Sequence, residues 1–200
     1  MITDAFKSVT LEGNQVSLVP LSESHHKDLI EATEDGALWK LWYTLVPDPS
    51  SMQENIRSKL AMQKTGSLLP FAVIDKQTEK AVGITTYLNI DKVNRRVEIG
   101  YTWYRKSVQR TALNTEAKLL LLSYAFETLN CIAVEFRTHI FNKQSRQGIE
   151  RLGAKLDGIL RNHMIMPNGT FRDTCVYSII ASEWPTVKSH LFFLIEKHRP

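Results

Sequence analysis

Cysteine is scarce in this sequence: Cys131 and Cys175 are the two in 200 residues, far apart and without metal-ligand spacing around either. That excludes a disulfide-dense secreted scaffold and a cysteine-based zinc site, and leaves buried free thiols or one disulfide as the open readings. Long apolar runs are missing too. The most apolar stretch, Leu119 to Phe126, is far too short to cross a bilayer. The opening MITDAFKSVT lacks the apolar core of a signal peptide, so a soluble cytoplasmic protein with no membrane partner is expected. No dense basic run occurs either. Lys and Arg number 25 against 21 Asp and Glu, and the net charge of +4 is scattered. Such a pattern reads as a solvated surface before it reads as a nucleic-acid footprint, with RNA binding the third-ranked function. Repeats, low-complexity tracts and linkers are absent, which points to one domain over 1–200 with a core at about 10–182.

What is present is a clear alternation of periods. Gln15 to Leu21 reads as a strand, and Ser22 caps a helix to about Glu34. Trp39, Trp42 and Tyr43 then precede Pro47 and Pro49, either as packing for a short helix or as the wall of an apolar cleft, with packing favoured. Ser51 and Glu54 have capping-box spacing for a helix that Gly66 ends. Three strands follow, at Leu69 to Ile74, Ala81 to Ile90 and Arg96 to Tyr104, joined by connections short enough for hairpins. A helix from Thr115 to Leu129, apolar over much of its circumference, stops at Asn130. Cys131 to Ile140 alternates as a strand parallel to its predecessor. Asn142 has the chemistry of an N-cap for a helix that Gly153 terminates. Two last strands, Lys155 to Met166 and Phe171 to Ile180, flank Pro167-Asn168-Gly169-Thr170, a strong hairpin signal. The amphipathic tail, about 184–200, docks as a helix or mediates association, a homodimer included.

The turn Gln109-Arg110-Thr111-Ala112-Leu113-Asn114-Thr115 lies between a strand and a helix N-terminus. Unpaired backbone amides and the positive end of the helix dipole make such a turn suited to an anion.

The order β-α-α-β-β-β-α-β-α-β-β resembles the GCN5-related N-acetyltransferase (GNAT) superfamily. The stretches that carry the likeness are Val97-Glu-Ile-Gly-Tyr-Thr-Trp-Tyr104, the turn with its helix, and Asn142-Lys-Gln-Ser-Arg-Gln-Gly-Ile-Glu-Arg-Leu-Gly-Ala154. Together with the Asn-Gly hairpin they look most like the RimJ/RimL-type ribosomal-protein N-acetyltransferases. The resemblance implies an α/β (α+β) fold with a mixed, mostly antiparallel, seven-stranded sheet flanked by helices. It also implies acetyl-CoA as co-substrate without a metal, its pyrophosphate cradled by Gln109 to Thr115. The glycine positions of the family's turn are held here by Ala112 and Asn114; Ala112 adds only a methyl, and Asn114 tolerates a left-handed backbone or caps the helix. The resemblance further implies that the strand ending at Trp103 and Tyr104 splays from the next one, so that the pantetheine arm pairs with its main chain near Asn142.

Acetyl transfer to an amine needs a neutral amine and a proton source for the departing thiolate. Glu98 is the candidate base, against the alternative of a solvated or salt-bridged carboxylate. Where many relatives carry a tyrosine acid this chain has Ile149, so Ser145 is the hydroxyl left to meet the sulfur, unless it is simply a first-turn serine. Glu135 and His139 share a strand face that either lines the acceptor side or points to solvent, the latter favoured. Cys131 has no histidine motif beside it and is not assigned as a nucleophile. The expected activity is direct acetyl transfer to a primary amine, a protein N-terminus or a small molecule. The alternative is a non-catalytic CoA-binding or protein-interaction module.

Overall fold

The computed structural model describes residues 7–197; the first six residues of the opening segment and 198–200 of the tail lie outside it. Eight strands form one sheet: β1 (Leu11–Glu12), β2 (Val16–Pro20), β3 (Leu68–Asp75), β4 (Lys80–Asp91), β5 (Arg96–Tyr104), β6 (Ala133–His139), β7 (Lys155–Ile165) and β8 (Phe171–Ile180). Their order is β1-β2-β3-β4-β5-β6-β8-β7. Every neighbouring pair is antiparallel except β5 and β6. The extra strand relative to the expected seven is β1, whose two residues pair with β2 and carry no readable period.

Five helices cover the sheet: α1 (His26–Glu34), α2 (Met52–Lys64), α3 (Ala112–Ser123), α4 (Lys143–Arg151) and α5 (Trp184–Glu196). On one face α1 and α2 bury Leu29, Ala32, Met52 and Ile56 against Ala72, Ile84 and Trp103. On the other, α3 and α5 bury Leu113, Ala117, Leu121, Val187 and Leu191 against Phe71, Tyr87, Val134 and Tyr177. The tail therefore docks: Trp184 stacks on Phe126 with ring centroids 5.2 Å apart, and its indole N–H donates to Glu127 at 2.7 Å. No described helix is long and apolar enough to cross a membrane.

Two local expectations change and a third holds. α2 is not entered through a Ser51–Glu54 capping box. The Asp48 carboxylate accepts the Ser50 and Ser51 amides at 2.9 and 3.0 Å, and Pro49 presets the first turn. α3 begins at Ala112 rather than Thr115, so Thr111 is its cap: its Oγ1 accepts the Leu113 amide at 3.3 Å. The β7–β8 hairpin forms, with Pro167 fixing a negative φ and Gly169 alone adopting the left-handed one, at φ 81°.

Glu116, in the first turn of α3, is buried and accepts three backbone amides of the β1–β2 turn: Asn14 at 2.8 Å, Gln15 at 2.7 Å and Val16 at 3.1 Å. Its charge is thus turned away from the helix N-terminus. Glu116→Ala leaves those amides without an acceptor and is expected to cost roughly 3 kcal/mol, read as a fall in the denaturant midpoint at unchanged m-value.

Candidate active site

β5 and β6 pair only through Arg96, Val97 and Glu98 against Ala133, Val134 and Glu135. Beyond that point β5 stays with β4 and parts from β6. Two features of the chain account for the departure. Tyr101 bulges out of β5 with φ 47°, and the β4–β5 register shifts between Ile84 and Thr86. Gly83 lets the strands close up: a Cβ there would lie 2.1 Å from the Trp103 carbonyl oxygen. A wedge opens between the strands, and the β5 main chain from Ile99 to Tyr104 borders it without a β6 partner.

Two glutamines bridge the far end of this wedge. Gln109 Nε2 donates to the Tyr104 carbonyl at 2.9 Å, and Gln144 Nε2 of α4 donates to Gln109 Oε1 at 3.1 Å. The helix turn therefore meets β5 and α4 at one place. α3 points its N-terminus here, and the amides of Ala112 and Asn114 have no intrahelical acceptor. The left-handed residue of the turn is Arg110, at φ 65°, with its side chain exposed. Ala112 and Asn114 are helical, so neither position demands glycine for its φ. Thr115 is fully buried with its hydroxyl accepting from Arg151 at 3.0 Å, and the rings of Trp103 and Tyr104 belong to the two cores. These three can offer main chain to the wedge. Their side chains are committed elsewhere.

Asn142 caps α4, its carboxamide oxygen accepting the Ser145 amide at 3.0 Å. The Ser145 hydroxyl makes no hydrogen bond with any described residue. Ile149 is buried, and the nearby Tyr177 hydroxyl is held between Arg146 at 3.0 Å and Glu150 at 2.7 Å.

Glu98 stands at the fork where the strands separate and is 6% exposed. Burial raises its pKa above the ordinary carboxylate value; the Asn89 side-chain amide, bonded to it at 2.7 Å, and the Arg137 charge at 3.4 Å act in the opposite sense. Glu135 beside it bonds Arg96 and Arg137. His139 is 2% exposed, so the expectation of a solvent-facing histidine fails: Trp42, Tyr43 and Phe141 enclose it. Trp42, itself 48% exposed, packs its ring on Tyr43, His139 and Phe141, whereas Leu38 next to Trp39 is buried in the core. Among the described residues no group of three or more His, Cys, Asp or Glu is placed to hold a metal ion.

Sequence reasoning passed over two residues near the wedge. Asn89, left-handed at φ 48°, reaches Glu98 from β4. Lys118 on α3 is buried, its ammonium 3.1 Å from Thr102 Oγ1 and 3.5 Å from Thr85 Oγ1, with no described carboxylate in ion-pair distance. A lysine inside the apolar run Ala117 to Leu122 was the visible signal for it.

A family model described as Acetyltransferase (GNAT) domain matches residues 15–155. The Bacillus subtilis protein named "Putative ribosomal N-acetyltransferase YdaF" is 35% identical over 102 residues, 51% of this chain and 55% of that protein; the chain thus spans about half of that relative's length. A crystal structure of a GCN5-related N-acetyltransferase from Brucella melitensis superposes with a TM-score of 0.83 at 30% identity, covering 94% of this chain and 86% of that one. Mycobacterium smegmatis RimJ in complex with CoA-disulfide shares the fold at 19% identity, with a TM-score of 0.80 over 94% of this chain and 96% of that one.

Burial pushes the Lys118 pKa from 10.5 down to about 7. Between those values the unfolded chain binds a proton that the folded one lacks, so stability rises with pH across the window and the full burial penalty stands below it. Lys118→Met is therefore expected to raise Tm, by clearly more at about pH 6 than at about pH 9.5 in scanning calorimetry.

Proposed function

The chain belongs to the GNAT acetyltransferase family, and from that premise we propose that it transfers an acetyl group from acetyl-CoA directly to a primary amine. The observation that carries this reading is a buried carboxylate, Glu98, at the fork of a parallel strand pair whose main chain is open on one side. The thioester of acetyl-CoA would supply the activated acetyl group. The residues of this chain fit such a co-substrate: the β5 edge from Ile99 to Tyr104 would pair with its pantetheine amides. The amides of Ala112 and Asn114, with the Arg110 side chain, would face its phosphates. Seating the arm fully would require Gln109 to release the Tyr104 carbonyl.

Glu98 takes a proton from the incoming ammonium, directly or through water, so that the nitrogen lone pair is available for attack. As the new C–N bond forms the C–S bond breaks, and the thiolate needs a proton. The second proton, released by the nitrogen as the amide forms, can pass to that thiolate, whose sulfur the Ser145 hydroxyl at the first turn of α4 would hydrogen-bond. A CoA thiolate is a fair leaving group, and positioning accounts for much of the remaining rate. Likeness to YdaF favours a protein N-terminus as acceptor, with a small amine the other case. A non-catalytic module is the second reading, favoured by Ile149 where a tyrosine acid is common in the superfamily.

Glu98→Gln is expected to lower kcat by about a hundredfold in a thiol-release assay while acetyl-CoA affinity holds. Because burial raises the Glu98 pKa, wild-type kcat/KM should fall as pH drops through that raised value, and this limb should vanish in the variant. Unchanged turnover in Glu98→Gln would remove it as the base; a chain that binds CoA but turns over no amine would be the passive module. Ala112→Pro removes one amide at the first helical position, where proline is tolerated after the extended Thr111. Calorimetry should show acetyl-CoA affinity about tenfold weaker with helix content unchanged.

A further inference from the structure

α1 and α2 pack over β3 and β4 and leave the same face of β6, β8 and β7 open to solvent. His139, the last residue of β6, sits at one end of that open floor. Its Nδ1 accepts the Phe141 amide at 3.1 Å, which puts the proton of the neutral ring on Nε2. Nε2 is buried and has no hydrogen-bond partner among the described residues. Burial first, and the charge of Arg172 second, hold the imidazole below its ordinary pKa and so in that neutral form. A buried N–H donor without an acceptor is costly to keep unless something outside the chain supplies one.

The surroundings describe what that something is. Trp42 meets the imidazole edge-on at 5.2 Å and Phe141 stacks on it at 5.6 Å, yet both rings are largely solvent-facing, at 48% and 62% exposure. Arg172 reaches the same place from β8. Its Nε donates to Thr174 Oγ1 at 2.9 Å, and Thr174 lies opposite His139 in the strand register. Both terminal nitrogens of its guanidinium lack a described carboxylate in ion-pair distance. The acids nearby are already matched: Glu135 to Arg96 and Arg137, Asp173 to Arg161, Glu98 to Asn89 and Arg137. Lys59 of α2 adds a buried cation 4.5 Å above the Tyr101 ring, again with no described carboxylate in ion-pair distance.

We propose that the acceptor is an amine that bears an anion, a carboxylate within a few bonds of its nitrogen, held between the Arg172 guanidinium and His139 Nε2–H with its carbon skeleton against Trp42 and Phe141. This deepens the acetyl-transfer reading and rests on it. The geometry suits a carboxylate because a guanidinium fork and a ring N–H can each give one oxygen a charge-assisted bond. Arg172 and Lys59 together disfavour polycationic acceptors such as polyamines. A free amino acid and an acidic residue next to a peptide N-terminus present the same chemistry.

The test uses the full chain with acetyl-CoA and matched acceptors: alanine against alaninamide, and short peptides with Asp against Asn at the second position. Wild type should prefer the anionic member of a pair, the first arm identifying a small amino acid and the second a peptide terminus. Arg172→Gln should shrink that preference, read as the ratio of kcat/KM within a pair, by about tenfold. His139→Phe, which keeps the stacking but removes the N–H, should shrink it too. Tryptophan fluorescence titrated with the same pairs reads the preference as a ratio of Kd without turnover. A wild type indifferent to the anion in both arms, or an Arg172→Gln chain that keeps the preference, overturns the inference. Binding preference without acetylation would instead overturn the acetyl-transfer reading alone.

Discussion

Main-chain amides and carbonyls that leave a sheet must find partners elsewhere, and the β5–β6 seam is where this sheet lets them go. The parallel pairing of three residues is long enough to fix the register of Glu98 beside Glu135 and short enough to leave the rest of β5 open. The bulge at Tyr101 and the close approach over Gly83 hold β5 to β4, so the opening is a property of the sheet rather than of a loop. α3, α4 and the Gln109–Gln144 bridge are then assembled around that opening, each offering donors toward it.

Charge is distributed unevenly about the seam. Lys118 is held among threonine hydroxyls, and neither it nor Arg172 nor Lys59 has a described carboxylate in ion-pair distance. Among the acids of the open floor, Glu98, Glu135 and Asp173 have basic or amide partners, and Asp157 accepts from the Ser178 hydroxyl. A protein with a net charge of only +4 therefore keeps three basic side chains near the seam without a described carboxylate in ion-pair distance.

Much of the fold was legible because the period of the apolar residues changes cleanly from 2 to 3.6 along the chain. Strands β3 to β8 lie within a residue or two of their expected bounds. β1 was not legible, since two residues have no period, and the true caps of α2 and α3 lost out to equally good local candidates a few residues downstream. The site was harder to read. Family likeness marked Glu98, Asn142 and the turn, but it could not say that Thr115 turns its hydroxyl to Arg151, or that Arg110 takes the left-handed position. His139 looked like a solvent-facing member of an alternating strand because its cover, Trp42 and Tyr43, comes from about a hundred residues away in sequence, beyond the reach of any local pattern.

The bond between the Asn14 amide and Glu116 joins residues 102 apart in sequence. The start of α3 is thereby tied to the first strands as well as to the β-meander that immediately precedes it. Closing a loop of that length costs more entropy than closing a hairpin or a helical turn, so this contact is expected to form after the local elements it joins. On a ribosome the first strands would wait for the whole meander to be synthesised before this contact could form. A ligand that grips the turn would then act on the slow, closing step of folding as well as on the finished protein, trapping the chain once its two halves have met.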